Sequence, residues 1–227
     1  MTAFFVTGSG TDIGKTFVTA AIIHELRRRG RRSTALKPVA SGFDPTQVAA
    51  SDPGILLAAL GHHPTTAALD RIAPWRFRAP LSPDMAARRD GRVIDFTTLV
   101  EHSRMAAAEN DLLLIEGVGG VMVPIDETHT VLDWMATLRL PVILVGGSYL
   151  GAISHSLTAL DALHSRALKV AALVVNETAG SSVALDETAT TVARFAAAVP
   201  IVALPRLPVP DQPHPAIEKL TDWLGAF

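Results

Sequence analysis

The stretch Gly8-Ser9-Gly10-Thr11-Asp12-Ile13-Gly14-Lys15-Thr16 decides the fold of this chain. It follows the apolar segment Ala3–Thr7, a predicted buried strand, and it opens a helix that begins near Gly14 and carries apolar residues at intervals of three and four. A glycine-rich loop in this setting presents backbone N–H groups at the positive end of a helix dipole, and such loops bind phosphate. The sequence therefore predicts a phosphate-binding loop, with Lys15 against the β- and γ-phosphates and the Thr16 hydroxyl as a Mg²⁺ ligand.

This loop departs in one respect from the common P-loop. Five residues separate Gly8 from Gly14, where the common motif has four. An ordinary glycine-rich turn between a strand and a helix is the alternative interpretation. The strand, the Gly-Lys-Thr sequence and the amphipathic helix follow one another directly, however, and together they favour phosphate binding.

Short apolar runs alternate with longer helical patterns along the whole chain. Further strands are predicted at Ser33–Lys37, Asp111–Glu116, Pro141–Gly146, Val170–Asn176 and Pro200–Leu204. Further helices are predicted at Pro53–Leu60, Phe96–Glu109, Val131–Leu138, Ser154–Ser165 and Val183–Ala198. The proline-rich segment Pro205–Pro215 predicts an extended surface loop before a last short helix that ends at Phe227. This alternation is typical of a mostly parallel, doubly wound sheet. Because no linker divides the chain, we expect one α/β domain over residues 1–227, in three α/β/α layers of P-loop NTPase type.

The composition excludes several classes of protein. Asp and Glu total 22 and Lys and Arg total 20, a net charge of −2 that predicts no nucleic-acid or anionic-membrane partner. The mean hydropathy of +0.31 is high, but no apolar run approaches the roughly 20 residues that span a bilayer. Cysteine is absent, which excludes disulfides, cysteine-based zinc sites and thiol nucleophiles. The N-terminal segment Met1–Phe5 has no basic leader and no signal-peptide pattern, so a cytoplasmic location is expected.

Two further motifs follow predicted strands, at the edge where parallel sheets bind ligands. The motif Lys37-Pro38-Val39-Ala40-Ser41-Gly42 places Lys37 toward the crevice beside the phosphate loop, although, taken alone, a solvated lysine at a strand end is the better interpretation. The motif Glu116-Gly117-Val118-Gly119-Gly120 supplies an acid where P-loop enzymes hold magnesium. Its glycines allow the backbone to approach a nucleotide closely. An acid that caps a glycine-rich turn is the alternative.

Two other polar residues have a plain structural interpretation. Asp52 in Ser51-Asp52-Pro53 is a further candidate acid, but Asp before Pro is also a strong helix start signal, and taken alone this N-cap interpretation is favoured. The pair Ser154-His155 is the nearest approach to a hydrolase arrangement, but no acidic partner is evident in the sequence. Ser154 is therefore interpreted as a helix N-cap.

Taken together, the order of these motifs resembles the dethiobiotin synthetase family. The shared order is Gly-x5-Gly-Lys-Thr, Lys-Pro-Val-x-Ser-Gly, an isolated Ser-Asp and Glu-Gly-x-Gly-Gly. The resemblance continues through Pro80-Leu81-Ser82-Pro83, Leu150-Gly151-Ala152-Ile153-Ser154-His155 and Val175-Asn176-Glu177, and it extends to about Leu207. The Lys-Pro-Val-x-Ser-Gly motif together with the five-residue P-loop makes it specific.

The resemblance implies a reaction. Members of the family close the ureido ring of dethiobiotin from 7,8-diaminopelargonic acid, CO₂ and MgATP, and they release ADP and phosphate. One amine becomes a carbamate that attacks the γ-phosphate, and the second amine then displaces phosphate from the mixed anhydride. The family works as a homodimer, with the diamine near the subunit interface. Since the carbamate and the phosphoryl centre are both anionic, catalysis requires chiefly charge neutralisation and alignment.

The resemblance also implies the residues of the site. It makes Lys37 and Lys15 the catalytic lysines, and it places Mg²⁺ among Thr16, Asp52 and Glu116. The nucleotide-binding residues that it implies are Asp12, Ile13, Gly14, Lys15, Thr16, Phe17, Asp52, Glu116, Gly117, Val118, Gly119, Asn176, Glu177, Pro205, Arg206 and Leu207. Within that set Asn176 reads the adenine edge, and Pro205, Arg206 and Leu207 wall the base. The substrate-binding residues that it implies are Thr11, Ser41, Gly151 and Ser154. The family usually has Asn where this chain has Ser154, whose hydroxyl keeps a donor but shortens its reach.

Two rival functions make different demands on the sequence. An amide-forming synthetase related to the cobyrinate amidases needs a glutaminase domain with a catalytic Cys, which this chain lacks. A partitioning or site-selection ATPase is a switch of similar fold, but it carries an additional lysine near the start of the P-loop. Residues 8 to 14 contain no lysine. An ATP-dependent cyclo-ligase is therefore the expected function.

Overall fold

A computed structural model of the chain describes residues 2–109, 112–196 and 198–225. Its strands are β1 (Thr2–Gly8), β2 (Thr34–Leu36), β3 (Val39–Ser41), β4 (Trp75–Phe77), β5 (Leu112–Glu116), β6 (Val142–Gly147), β7 (Val170–Asn176) and β8 (Ile201–Leu204). Six of them form a sheet in the order β2-β5-β1-β6-β7-β8, and β3 pairs with β4 in a second sheet. Every strand pair is parallel. The predicted α/β class with a doubly wound parallel sheet is confirmed.

Helices cover both faces of the main sheet. They are α1 (Lys15–Arg28), α2 (Asp52–Leu60), α3 (Thr66–Ile72), α4 (Pro83–Arg89), α5 (Phe96–Glu109), α6 (Val131–Leu138), α7 (Ala152–Ser165), α8 (Leu185–Phe195) and α9 (Pro215–Leu224). Crossovers between parallel strands are right-handed. Helix α1 connects β1 to β2 at one edge of the sheet, and α7 connects β6 to β7 in the opposite direction. Two right-handed crossovers in opposite directions place α1 and α7 on opposite faces. Helix α1 packs against α2 and α9, while α7 packs against α8.

The central strands are apolar along most of their length because both of their faces are covered. Every residue of β5 and β6 is buried. The register aligns Val6 of β1 with Glu116 and Gly8 with Val145. The carboxyl ends of β1, β5 and β6 therefore open at one edge, with the P-loop beside the point where the strand order reverses.

The structure moves several predicted boundaries. Helix α7 begins at Ala152, with Gly151 at φ +100° as its N-cap, so the N-cap interpretation of Ser154 is wrong. Among the described strands and α-helices, β3, β4, α3 and α4 had no predicted counterpart. The predicted start of a strand at Asp111 and the predicted end of the last helix at Phe227 lie outside the described residues. Among the helices that the structure describes, none combines the length and hydropathy needed to span a bilayer.

Candidate active site

A cleft of about 780 Å³ lies at the carboxyl edge of the main sheet. Four segments that the sequence motifs singled out meet in its wall. They are Thr11–Thr16 of the P-loop, Lys37 with Ala40–Phe43, the start of α2 at Ser51–Pro53, and Val118–Gly119 after β5. The segment Pro80–Pro83 also lines the cleft. The cleft therefore brings together the predicted phosphate and metal residues and two of the predicted substrate residues, Thr11 and Ser41.

The P-loop runs from the end of β1 to the first residue of α1, as predicted. Lys15 is only 6% exposed, and its ammonium donates to the Gly10 carbonyl across the loop at 2.9 Å. Burial and, to a smaller extent, the neighbouring Lys37 cation lower the pKa of Lys15 to about 8, although the nearby carboxylates oppose this shift. An anionic phosphate in the loop would favour the charged form of this lysine.

Lys37 lies immediately after β2 and is 2% exposed. Its ammonium donates to Glu116 Oε1 at 2.7 Å and to the Gly117 carbonyl at 2.8 Å, and it pairs with Asp52 Oδ2 at 2.9 Å. Burial lowers the pKa of Lys37, but the two carboxylates outweigh burial, so the pKa lies above its ordinary value. The interpretation of Lys37 as a solvated strand-end lysine is wrong, because three oxygens hold its cation inside the cleft wall.

The carboxylates beside Lys37 come from different segments of the chain. The Thr16 hydroxyl donates to Glu116 Oε1 at 2.6 Å. Ser51, not Asp52, caps α2, since its Oγ accepts the Gly54 N–H at 3.3 Å. The N-cap interpretation of Asp52 is therefore wrong. Burial raises the pKa of Asp52, but its pairing with Lys37 outweighs burial, so the pKa lies below its ordinary value and the carboxylate is charged.

This donor set fits a hard divalent cation. Glu116 is fully buried, and within the described structure its Oε2 has no hydrogen-bond partner. Two carboxylates and a hydroxyl are the oxygen ligands that Mg²⁺ takes when phosphates and water complete its shell. The described residues contain no cluster of three or more His, Cys, Asp or Glu side chains that could hold a metal alone.

A second group of predicted residues lies at the ends of β7 and β8. Asn176 is the last residue of β7, and its Nδ2 donates to the Ile13 carbonyl of the P-loop at 3.0 Å. Glu177 follows it, and one of its carboxylate oxygens accepts the Arg206 backbone N–H at 2.8 Å. Arg206 is exposed, while Leu207 packs against the core. Of the predicted base-binding residues, Asn176 thus contacts the P-loop, and Glu177 holds the backbone of Arg206.

The predicted substrate residues divide into two groups. Thr11 and Ser41 line the cleft, and the buried Ser41 Oγ has no hydrogen-bond partner in the described structure. Gly151 and Ser154 are both exposed at the start of α7, and neither is among the residues that line the cleft. The chain alone therefore does not bring all four residues into one pocket.

The chain is similar to known proteins over most of its length. Residues 2–214 match the family described as an AAA domain, AAA_26. The "ATP-dependent dethiobiotin synthetase BioD" of Phenylobacterium zucineum is 51% identical over 209 residues, which cover 91% of this chain and 89% of that protein. The protein of the same name from Acidiphilium cryptum is 48% identical over 203 residues, with 88% and 91% covered. The chain belongs to the dethiobiotin synthetase family. The family and the ATP-dependent synthetase activity predicted from the motifs are thereby confirmed.

Solved structures extend the likeness to the fold alone. The cell division ATPase MinD of Pyrococcus furiosus superposes with a TM-score of 0.62 at 16% identity, covering 100% of this chain and 99% of that one. MinD of Aquifex aeolicus gives 0.59 at 15% identity, with 100% and 96% covered. The P-loop NTPase architecture of this dethiobiotin synthetase is therefore shared with proteins of very different sequence.

Some features of the synthetase's site had no counterpart in the sequence motifs. Phe43 and Val123 line the cleft, although no motif marked either of them. Ser148 and Thr178 exchange two hydrogen bonds of 3.1 and 3.0 Å that tie the ends of β6 and β7 together before α7. The polar pattern around Ser148 resembles an ordinary loop, so no local signal could have revealed this pairing.

Proposed function

We propose that the chain closes the ureido ring of dethiobiotin from 7,8-diaminopelargonate, CO₂ and MgATP, and that it uses the residues of the cleft to do so. The observation that carries this assignment is the Lys37 ammonium, buried beside the P-loop with Asp52 and Glu116. A buried cation next to a phosphate loop suits a reaction in which one anion attacks another.

The phosphate end would hold the triphosphate. Asp12–Phe17 would surround it with backbone N–H groups, and Lys15 would contact the β- and γ-phosphates. Glu116, Gly117, Val118 and Gly119 would border the same phosphates from the end of β5. Asn176 and Glu177, with the wall Pro205–Leu207, would hold the base. Their support is the contact that already joins Asn176 to the P-loop.

The reaction would proceed in three steps. One amine adds to CO₂ and loses a proton to form a carbamate. A carbamate oxygen attacks the γ-phosphorus, and ADP leaves. The second amine attacks the carbonyl carbon of the mixed anhydride, the C–O bond to phosphate breaks, and the amine loses its proton. Lys37 and Lys15 would stabilise the negative charge shared by the attacking and leaving oxygens.

Mg²⁺ would be held by Thr16, Asp52 and Glu116. When bound, it supplies positive charge to the phosphate oxygens. The unpartnered Glu116 Oε2 supports this assignment, because a fully buried carboxylate oxygen without a donor is costly unless a cation satisfies it.

The diamine would contact Thr11 and Ser41 in the cleft, and Gly151 and Ser154 from a second copy of the chain. Leu150, directly before that turn, is 89% exposed. A large apolar side chain at this exposure, beside two substrate residues that lie outside their own cleft, supports a homodimer with the substrate near the interface. We further propose that residues 1–227 form one domain and that the enzyme is cytoplasmic.

Phosphate release measured with and without diaminopelargonate tests the assignment. A synthetase should release phosphate only when the diamine and bicarbonate are both present. A chain that hydrolyses ATP at the same slow rate without the diamine would instead be a switch, and the assignment would be overturned.

Sedimentation of the intact chain and of Leu150→Asp tests the dimer. The parent should sediment at twice the chain mass. In Leu150→Asp the dimer interface would bury a charged carboxylate, so this variant should shift toward the monomer and show a higher KM for the diamine. Glu127→Lys, another change at an exposed residue, serves as the control and should leave the assembly intact. A parent that sediments as a monomer while turning over normally would contradict the shared site.

A further inference from the structure

One hydrogen bond joins the carboxyl end of β7 to the loop that follows β1, although these strands are not neighbours in the sheet. The Nδ2 of Asn176 donates to the carbonyl of Ile13 at 3.0 Å, over a separation of 163 residues in the chain. Asn176 ends β7 and Ile13 lies in the loop that follows β1, and β6 stands between these two strands. The side chain of Asn176 therefore reaches over the end of β6, where Gly147 is its register partner.

Gly14 makes this approach geometrically possible. It takes φ +91°, and a Cβ placed on it would lie 2.2 Å from Asn176 Nδ2. Both its backbone conformation and the space beside it therefore require glycine. The Gly14 in the Gly-Lys-Thr motif makes room for the Asn176 amide as well as for the turn.

The bond constrains the orientation of one peptide group. A trans peptide is planar, so the Ile13 carbonyl and the Gly14 N–H point in opposite directions. Holding the carbonyl on Asn176 directs the Gly14 N–H away from β7. That N–H belongs to the loop whose backbone donors are assigned to phosphate.

We propose that Asn176 is a positioning residue for the P-loop, which holds the Ile13–Gly14 peptide in the orientation that binds phosphate. The proposal rests on the assignment of this loop to the triphosphate. It gives Asn176 a function that does not require a base in the site, in addition to the base contact proposed above.

The same bond also defines how the amide can meet a base. An asparagine amide has two N–H donors and one acceptor oxygen, and the Ile13 carbonyl takes one donor. One N–H and the Oδ1 remain free for a base. The bond to Ile13 prevents a 180° flip of the amide, so the positions of this donor and this acceptor are fixed. A donor beside an acceptor complements the N7 and N6 groups of adenine, whereas guanine presents two acceptors there. The phosphate loop and the base preference are thus coupled through one side chain.

Binding of magnesium tripolyphosphate, which has no base, tests the proposal. Calorimetry would compare the parent with Asn176→Leu, which keeps the branching and the number of side-chain heavy atoms and removes the donor, and with Asn176→Ala. Both variants should bind tripolyphosphate about threefold to tenfold more weakly, the factor that one neutral hydrogen bond represents. Their loss of ATP affinity should be larger, because the base contact is lost as well.

Leu207→Ala is the matched control at the base end. It should weaken ATP binding and leave tripolyphosphate binding unchanged, since Leu207 carries no charge and lies outside the P-loop. If Asn176→Leu and Asn176→Ala bind tripolyphosphate as tightly as the parent does, Asn176 acts on the base alone and the proposal is overturned. If the parent itself does not bind tripolyphosphate, the assignment of the loop to phosphate fails first, and this proposal fails with it.

A measurement on the unmodified protein guards against variants that do not fold. In isotope-labelled parent protein, an NMR correlation through the hydrogen bond should link the Asn176 side-chain N–H to the Ile13 carbonyl carbon, both free and with tripolyphosphate. Loss of this correlation when tripolyphosphate binds would show that the bond does not hold the binding orientation, which would overturn the proposal.

Discussion

The two ends of the proposed active site differ in how much of their arrangement the folded chain supplies. At the phosphate end, Lys15, Lys37 and Glu116 are 6%, 2% and 0% exposed, and hydrogen bonds or ion pairs hold both lysines. At the other end, the turn before α7 carries Leu150 at 89% exposure and an exposed Ser154.

This difference teaches where catalytic charge can be placed. Burying an ammonium or a carboxylate is costly, and only partners of opposite charge offset that cost. The phosphate end is therefore organised before any ligand arrives, and changes there should alter rate and metal dependence. The exposed turn has no such constraint, so changes there should alter substrate affinity rather than rate or metal dependence.

The largest expected effect is that of Lys37→Ala. Removing one preorganised charge from a transition state typically lowers kcat by about 10²–10³. ATP affinity should change much less, because the charge matters most in the transition state. Lys37→Arg should not restore the rate, since a planar guanidinium does not fit the space of a compact ammonium between Asp52 and Glu116.

Steady-state kinetics and a thermal melt of each variant check this prediction. The diamine should still bind in a CO₂-dependent manner, because carbamate formation needs no ATP, and that binding should weaken less than turnover does. Turnover of Lys37→Ala within threefold of the parent would show that the two ends of the site do not differ in the way described.

Glu116→Gln should shift metal dependence. The variant keeps the shape of the side chain and removes the charge, so the Mg²⁺ concentration for half-maximal activity should rise by about tenfold, equivalent to about 1.4 kcal/mol. A Mg²⁺ titration at saturating ATP measures this, with Glu101→Gln on the exposed face of α5 as the control. Superimposable titrations of parent and Glu116→Gln would remove Glu116 from the metal site.

The pKa of Lys15 predicts a pH dependence of anion binding. The charged lysine attracts phosphate, and in the free protein the pKa of its ammonium is about 8. Above pH 8 the free protein must therefore take up a proton to bind, and tripolyphosphate affinity should fall by up to about tenfold per pH unit. Lys15→Arg stays charged and should lose this dependence. Calorimetry between pH 7 and 9.5 measures it, and a flat profile for the parent would contradict the lowered pKa.

The smallest expected effect lies at the exposed turn. Ser154→Ala should raise KM for the diamine by about twofold to tenfold, since a neutral hydrogen bond contributes roughly 0.5–1.5 kcal/mol. The melting temperature should stay unchanged, because Gly151 rather than Ser154 caps α7. An unaltered KM would exclude Ser154 from the substrate site, and a lower melting temperature would contradict the assignment of the cap.

The sequence by itself determined those features that depend on neighbours along the chain. The P-loop was predicted because a strand, a glycine-rich loop and an amphipathic helix follow one another within about 25 residues. The apolar runs of β5 and β6 marked buried parallel strands because both faces of such strands are covered. The order of the motifs along the chain was sufficient to recognise the family, since this order can be read without knowing how the motifs are arranged in space.

Only the tertiary structure decided which of several local interpretations holds. Asp52 and Ser51 are adjacent and both suit a helix start, and the choice between them depends on Lys37, which approaches from another strand. Lys37 looked solvated because Glu116 is 79 residues away in the chain. The bond from Asn176 to Ile13 depends in the same way on a strand order that places β6 between them. Polar side chains take their function from partners, and strand order, which no local pattern encodes, brings those partners together.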